Sequence, residues 1–311
     1  MLNQNDTGKR PDKHINYVII CCFAAVMLFT AACSATKPKP AADNVENSKD
    51  QAAKEKVSVS YEVHMLLDPE LVLDDEYKLK QELCDEFKTK KKYKTYGAVY
   101  METADREFNR EGWSNRIRIR EDKEDNEFKQ TYKKRYPVSG TDLNGALRLA
   151  AADGFDLSDE DWKLEVEWGY SSMTLSVSKD VKISAEGYDG IDDITLTEAI
   201  GIMKEGMPEE ERDWGNRKWG IDTLEKSQMA GPVYLIRYTG KYFDQKVEIE
   251  VWELPDSGQG EGNYITEMSY KADDYAEAAV YREMMIKDLN GRGLLMEDDA
   301  LKTQKILDRY L

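Results

Sequence analysis

The sequence predicts an α+β fold built on a large antiparallel sheet, and three observations carry that expectation. Apolar residues recur with period two along much of the chain, the pattern of strands with two unlike faces. Helical spacing is confined to the crossovers and the C-terminal region. Across 311 residues, 41% hydrophobic and 10% aromatic content is enough to bury a substantial core.

The N-terminus carries a processing signal. Lys9, Arg10, Lys13 and His14 lead into Val18 to Ala32, an almost uninterrupted apolar run that closes with Thr30-Ala31-Ala32-Cys33. Such a run is short for a stable membrane span and suits an export signal. It resembles a bacterial lipoprotein signal, although Thr30 stands where leucine is usual. The resemblance implies that residues 1–32 are removed and Cys33 is lipidated. The protein is then extracytoplasmic, anchored to the bacterial cell membrane through its lipid. An uncleaved single span is the alternative, and it leaves the domain on the same side. Residues 33–56 contain almost nothing apolar beyond alanine and read as a flexible tether, so the folded domain occupies residues 57–311.

Of the four cysteines, Cys21 and Cys22 leave with the signal and Cys33 carries lipid. Cys84 then has no disulfide partner and reads as a small buried hydrophobe. The net charge of -17 argues against general affinity for nucleic acid or anionic membrane surfaces. A basic site must therefore be local and sheltered.

Folding begins with Val57 to Leu66, where Val57, Val59, Tyr61, Val63 and Met65 alternate with Ser58, Ser60, Glu62 and His64. Asp75 to Phe87 has helical spacing, and Ala98 to Met101 is a short strand. Thr103-Ala104-Asp105 reads as a turn and helix start. In Asn115 to Tyr136, Arg116, Arg118 and Arg120 point one way and Ile117 and Ile119 the other. A turn centred on Glu124-Asp125 would pair Arg116 with Lys133, Arg118 with Thr131 and Arg120 with Lys129. The opposite face would then gather Ile117, Ile119, Phe128 and Tyr132. Asp142 to Asp153 reads as a helix ended by Gly154. Trp162 to Trp168 sets Lys163, Glu165 and Glu167 against Leu164, Val166 and Trp168, and Ser172 to Ser178 alternates hydroxyls with Met173, Leu175 and Val177. A helix covers Leu196 to Lys204. Pro232 to Tyr238 and Lys241 to Trp252 form a hairpin around Thr239-Gly240, the second strand setting Glu248 and Glu250 against Val247, Ile249 and Val251. Two helical pieces, Ala272 to Leu289 and Asp298 to Leu311, end the chain.

The polar faces hold charges at even spacing, which keeps each row on one surface. In an open sheet they would be solubilising charge. In a closed barrel, cations and carboxylates would share one interior, each sign lowering the cost of burying the other.

The segment Tyr100-Met101-Glu102-Thr103-Ala104-Asp105, then Phe108, Gly112, Arg116-Ile117-Arg118 and Thr131-Tyr132-Lys133, resembles the CYTH domain of the triphosphate tunnel metalloenzymes. Glu165 and Glu167 fall where that family has a mid-chain Glu pair, and Glu248-Ile249-Glu250 resembles its late Glu-x-Glu strand. The likeness covers about residues 57 to 310. Two departures stand out: Ser60-Tyr61-Glu62-Val63-His64 replaces Glu-x-Glu-x-Lys, and Glu102 and Ala104 replace Asp and Pro.

The resemblance implies a closed antiparallel β-barrel of about eight strands with flanking helices. Its tunnel takes a triphosphate or other small anionic phosphorylated ligand. Arg116, Arg118, Arg120, Lys129 and Lys133 would bind phosphate, the arginines by forked hydrogen bonds. Glu62, Glu165, Glu167, Glu248 and Glu250 are the candidates to hold Mg2+ or Mn2+. Glu62, His64 and Lys133 are the candidates for a hydrolytic step. Glu165 and Glu167 can equally be metal-free partners of the basic row. Two other functions stay open: a non-catalytic binding or structural lipoprotein that retains the barrel, and a sugar-binding surface built on the tryptophans.

Overall fold

The computed structural model describes residues 57–122, 127–255, 263–299 and 301–311. The expected export signal, tether and lipidated Cys33, and the turn expected at Glu124-Asp125, lie outside the described residues.

Among the described residues, nine strands form the body: β1 (Ser60–Leu67), β2 (Lys94–Glu102), β3 (Trp113–Arg120), β4 (Glu127–Pro137), β5 (Lys163–Trp168), β6 (Met173–Ser184), β7 (Gln228–Tyr242), β8 (Gln245–Glu253) and β9 (Tyr264–Ala272). They follow the order β1-β5-β6-β4-β3-β2-β7-β8-β9, and β9 pairs back onto β1, so the sheet closes into a barrel. A two-residue strand, β10 (Leu295–Met296), lies against the end of β1. The barrel is mixed rather than wholly antiparallel, because β1 and β5 run parallel, with Glu62 beside Glu167. These two strands are far apart in sequence, so no hairpin imposes antiparallel pairing on them.

Nine helices lie among the described residues: α1 (Pro69–Val72), α2 (Gln81–Glu86), α3 (Glu107–Arg110), α4 (Leu143–Ala152), α5 (Leu196–Gly206), α6 (Glu209–Arg212), α7 (Trp219–Leu224), α8 (Tyr275–Gly291) and α9 (Lys302–Tyr310). Local chemistry sets their ends. Thr195 and Glu198 close a reciprocal capping box on α5, and Asp142 and Asp274 accept backbone N–H groups at the starts of α4 and α8. After α4 the chain reverses through Gly154 at φ +100°, a conformation that glycine adopts without a Cβ clash.

The strands are amphipathic with the apolar side outward. Ile117, Ile119, Phe128, Tyr132, Leu164, Val166, Val247 and Ile249 are buried in one cluster with Ala150 of α4, Met203 of α5 and Met285 and Leu289 of α8. Each large aliphatic or aromatic side chain removed from water in this way stabilises the fold by about 1.5–3 kcal/mol. The helices thus cover the outside of the barrel, and the charged faces turn inward. Toward one end the lumen becomes apolar, where Leu66, Ala98, Tyr100, Leu235, Trp252 and Ile265 pack with Ile306 and Leu307 of α9.

One strand register and one turn differ from the sequence expectation. On β3 and β4 Arg116 faces Thr131, Arg118 faces Lys129 and Ser114 faces Lys133, two residues away from the expected register. An even slip leaves every side chain on its expected face, so the two-faced pattern is preserved. The β7–β8 hairpin turns at Phe243-Asp244, both at positive φ, and not at Thr239-Gly240. Gly240 lies within β7, where a Cβ would stand 2.3 Å from the Phe87 carbonyl oxygen. Its role is a close backbone approach rather than a turn. The helix expected over Asp75 to Phe87 shortens to α2, because Leu73 bridges Leu79 in an extended pairing. Cys84, on α2, is half-buried against the core. Among the described residues no helix is long and apolar enough to cross a membrane.

Candidate functional site

All nine barrel strands and the start of α9 line one cavity of about 370 Å³. Among the described residues, nine lysines and arginines face seven carboxylates there, a surplus of positive charge within a chain of net charge -17. The acidity of the protein lies elsewhere, and this lumen is where an anion is favoured.

One wall is basic. The period of two on β3 sends Arg116 and Arg118 inward, and β4 adds Lys129, Lys133 and Arg135. Lys129 is paired with Asp180 of β6 at 2.7 Å. Lys133 and Arg135 both hold Glu167 of β5, Arg135 at 3.0 Å. Burial alone would raise the Glu167 carboxyl, but these two cations outweigh it and keep it well below the usual carboxylate range.

Arg116 and Arg118 are different. No carboxylate lies within ion-pair distance of either among the described residues. Arg116 donates a long 3.4 Å hydrogen bond to the Thr131 hydroxyl, and its buried Nε has no partner. Arg118 lies over the Tyr96 ring at 4.8 Å. Burial, reinforced by the neighbouring charges of Arg116 and Arg237, lowers the Arg118 guanidinium to about 10. Neither guanidinium is in direct contact with a carboxylate: Glu250 acts on Arg118 from a distance, and Arg116 reaches Asp180 only through the Thr131 hydroxyl.

The opposite wall is acidic, and protein cations already occupy it. Glu165 accepts from Lys163 at 2.6 Å and from Lys271 of β9 at 2.8 Å. Lys271 also lies 3.5 Å from Glu62, whose carboxyl is raised by burial and by Glu165. Glu250 of β8 and Glu267 of β9 are direct cross-strand neighbours, a like-charge pairing that costs stability unless a cation bridges it. Lys302, the first residue of α9, supplies that cation, at 2.8 Å from Glu250 and 2.7 Å from Glu267. Arg237 of β7 completes the Glu250 shell, and the Trp252 indole N–H donates to the same carboxylate at 2.8 Å. Against the effect of burial, Lys302 and Arg237 hold Glu250 far below its usual range. Glu248 has Arg237 at 3.4 Å and Lys246 at 3.5 Å, and His64 lies 3.6 Å from Glu267.

Of the sequence-derived candidates, Glu62, His64, Arg116, Arg118, Lys129, Lys133, Glu165, Glu167, Glu248 and Glu250 line this cavity. Arg120 does not line it. Its guanidinium makes a forked pair with Asp122, at 2.7 and 2.8 Å, at the end of β3. The motif segment Glu102 to Asp105 serves the local backbone: Glu102 accepts the N–H groups of Thr103, Phe108 and Asn109, organising the turn into α3.

Sequence reasoning missed Lys302, Arg237 and Asp180, and also Glu267 and Lys271. The last two had a readable signal, since Glu267, Ser269 and Lys271 alternate with Thr266, Met268 and Tyr270.

The acid set does not fit Mg2+ or Mn2+ as arranged. Such hard cations take several oxygen ligands and retain waters. Here each candidate carboxylate meets an ammonium or guanidinium, and among the described residues no group of three or more His, Cys, Asp or Glu is disposed to hold a metal.

No protein-family model and no curated protein matches the chain in sequence. Solved structures do match in shape. One is a proposed adenylyl cyclase from Hippeastrum described as having a dominant triphosphatase activity: 12% identity over 80% of this chain and 96% of that one, with a TM-score of 0.50. Another is a proposed adenylate cyclase from Bacillus halodurans, 12% identical over 80% of this chain and 97% of that one, with a TM-score of 0.46. The closed barrel with its flanking helices, shared with the Hippeastrum protein along nearly all of that chain, gives this protein a CYTH-like tunnel fold.

Proposed function

We propose that this chain is an exported, lipid-anchored protein whose tunnel binds a triphosphate or other polyphosphorylated anion. The observation that carries the reading is the Arg116–Arg118 pair: two inward guanidiniums with no carboxylate in direct contact among the described residues, Arg118 desolvated by burial and the Arg116 Nε without a partner, in a cavity with surplus positive charge. A phosphate chain supplies what they lack, several adjacent negative oxygens in a geometry that matches the guanidinium fork. Lys129 and Lys133 on β4 extend the same wall and can follow the anion along the lumen. The triphosphatase activity described for the Hippeastrum protein supports the choice of ligand.

Binding without chemistry is the better supported form, because the carboxylates that a hydrolytic metal would need are engaged by protein cations. Hydrolysis with magnesium or manganese is the second reading, and it requires those cations to withdraw.

The test uses the full chain in mild detergent and tripolyphosphate as ligand. Calorimetric titration is expected to show one saturable site, lost in the Arg116→Met/Arg118→Met double variant. Absence of binding to the folded wild type would sink the reading. Phosphate release, measured with and without magnesium, then separates a hydrolase from a binding protein.

A further inference from the structure

We infer that Lys302 is the built-in cation of the tunnel's acidic wall, taking the place of a divalent ion, so that this lumen receives a polyphosphorylated anion without any metal. The inference deepens the reading above and rests on it for the identity of the anion. The placement of Lys302 is an independent observation.

The barrel itself creates the need. Register puts Glu250 directly beside Glu267, both inward and both nearly inaccessible to bulk water. Two adjacent buried carboxylates require either a shared proton or a positive charge. A divalent ion is one solution, and a protein ammonium is another. The chain uses the second: the Lys302 ammonium donates to one oxygen of each carboxylate, at 2.8 and 2.7 Å, and stands 5.2 Å from the Trp252 ring centre. An incoming metal would have to displace this ammonium and take up the same oxygens.

The position is not a chance reach of a surface lysine. Helix α9 is seated so that its first residue enters the lumen. Ile306 and Leu307 are buried in the apolar end of the barrel. Arg106 pairs with Asp308 at 2.6 Å, Arg309 donates to the Pro255 carbonyl at 3.0 Å, and the Tyr310 hydroxyl donates to the Pro232 carbonyl. The helix dipole adds partial positive charge at the end that faces the carboxylates.

Two measurements on the full chain in detergent test the inference. The first probes Mn2+ alone by electron paramagnetic resonance. Wild type is expected to hold no ion in the lumen. Lys302→Met, which keeps length and removes charge, is expected to gain Mn2+ affinity by about tenfold or more, the scale of one close charge pair. Lys302→Arg is expected to behave as wild type. Equal Mn2+ binding by wild type and a folded Lys302→Met overturns the inference, as does a wild-type Mn2+ site that Glu250→Gln abolishes.

The second measurement needs no variant. Tripolyphosphate is titrated into wild type in the presence of a chelator and then with magnesium. Binding in chelator, with an affinity within about threefold of that in magnesium, is the expected result. Binding that appears only with magnesium overturns the Lys302 inference and leaves the arginine wall standing. Binding under neither condition removes the polyphosphate reading instead, and the Mn2+ measurement still decides the role of Lys302.

Discussion

Replacing Glu211 by glutamine should stabilise the protein at neutral pH and leave it unchanged in acid. Glu211 lies on α6, fully buried against the outer face of β3, where it accepts a hydrogen bond from the Asn115 side-chain amide. Its other oxygen has no partner, and neither does the Asn115 carbonyl oxygen. Two acceptors left over on a bonded pair indicate a missing hydrogen, which a protonated carboxyl would supply. Burial raises the Glu211 carboxyl from its ordinary 4.5 to about 8, with Glu102 adding to the rise and Asn115 opposing it. The folded state therefore binds the proton more tightly than the unfolded chain. Its stabilising effect is complete below the unfolded value and is lost as pH rises toward the folded one. At about 1.4 kcal/mol per pH unit, the loss by pH 7 is about 3 kcal/mol.

Glutamine is neutral at every pH and carries the missing donor. Glu211→Gln should thus gain about 3 kcal/mol at pH 7, or roughly 6 °C in midpoint for a domain of this size, and about zero near pH 4.5. Urea unfolding of both proteins at the two pH values gives the difference directly. A gain of equal size at both, or no gain at pH 7, would show that the carboxyl is not the titrating group.

Three further outcomes are expected. Arg118→Met should raise the thermal midpoint of the unliganded chain, by removing a like charge beside Arg116 and Arg237, while weakening tripolyphosphate binding about tenfold or more, as thermal scans with and without ligand will show. Glu167→Gln should cost about 3 kcal/mol at pH 7, because it strands Lys133 and Arg135 in the lumen. Since the folded Glu167 value is depressed, its contribution is present at neutral pH and lost as pH falls, so the variant and wild type should converge in acid-unfolding curves. Gly240→Ala should destabilise by about 2 kcal/mol through the Phe87 backbone contact, with tripolyphosphate affinity retained in the folded fraction.

The strands with sharply unlike faces were legible in the sequence. Arg116-Ile117-Arg118 and Leu164-Glu165-Val166-Glu167 each state which residues turn together, and the barrel places them as the alternation requires. Alternation alone does not say which side is the outside; closure of the sheet decides that, and it depends on β9 finding β1 across most of the chain length. Arg237 was hidden for a related reason. Its strand reads Val233, Tyr234, Leu235, Ile236, apolar on both faces, because the lumen itself turns apolar at that end. The β7–β8 turn departs from the expected Thr239-Gly240 because glycine signals both reversals and close approaches, while the actual turn uses Phe243 and Asp244 at positive φ. Lys302 left no periodic trace, since a single residue at a helix start acquires its partners only when α9 docks.

Where a strand turns its greasy side to the helices and its charged side to the polar part of the lumen, as β3, β4 and β5 do, it obeys two separate selection rules. Outward positions answer to shape and volume. Inward positions answer to the local sum of charge, which neighbours across the bore can rebalance in compensating pairs. The charge pattern of the bore can therefore drift by reciprocal exchanges of acid and base while the shell that holds the molecule together stays fixed.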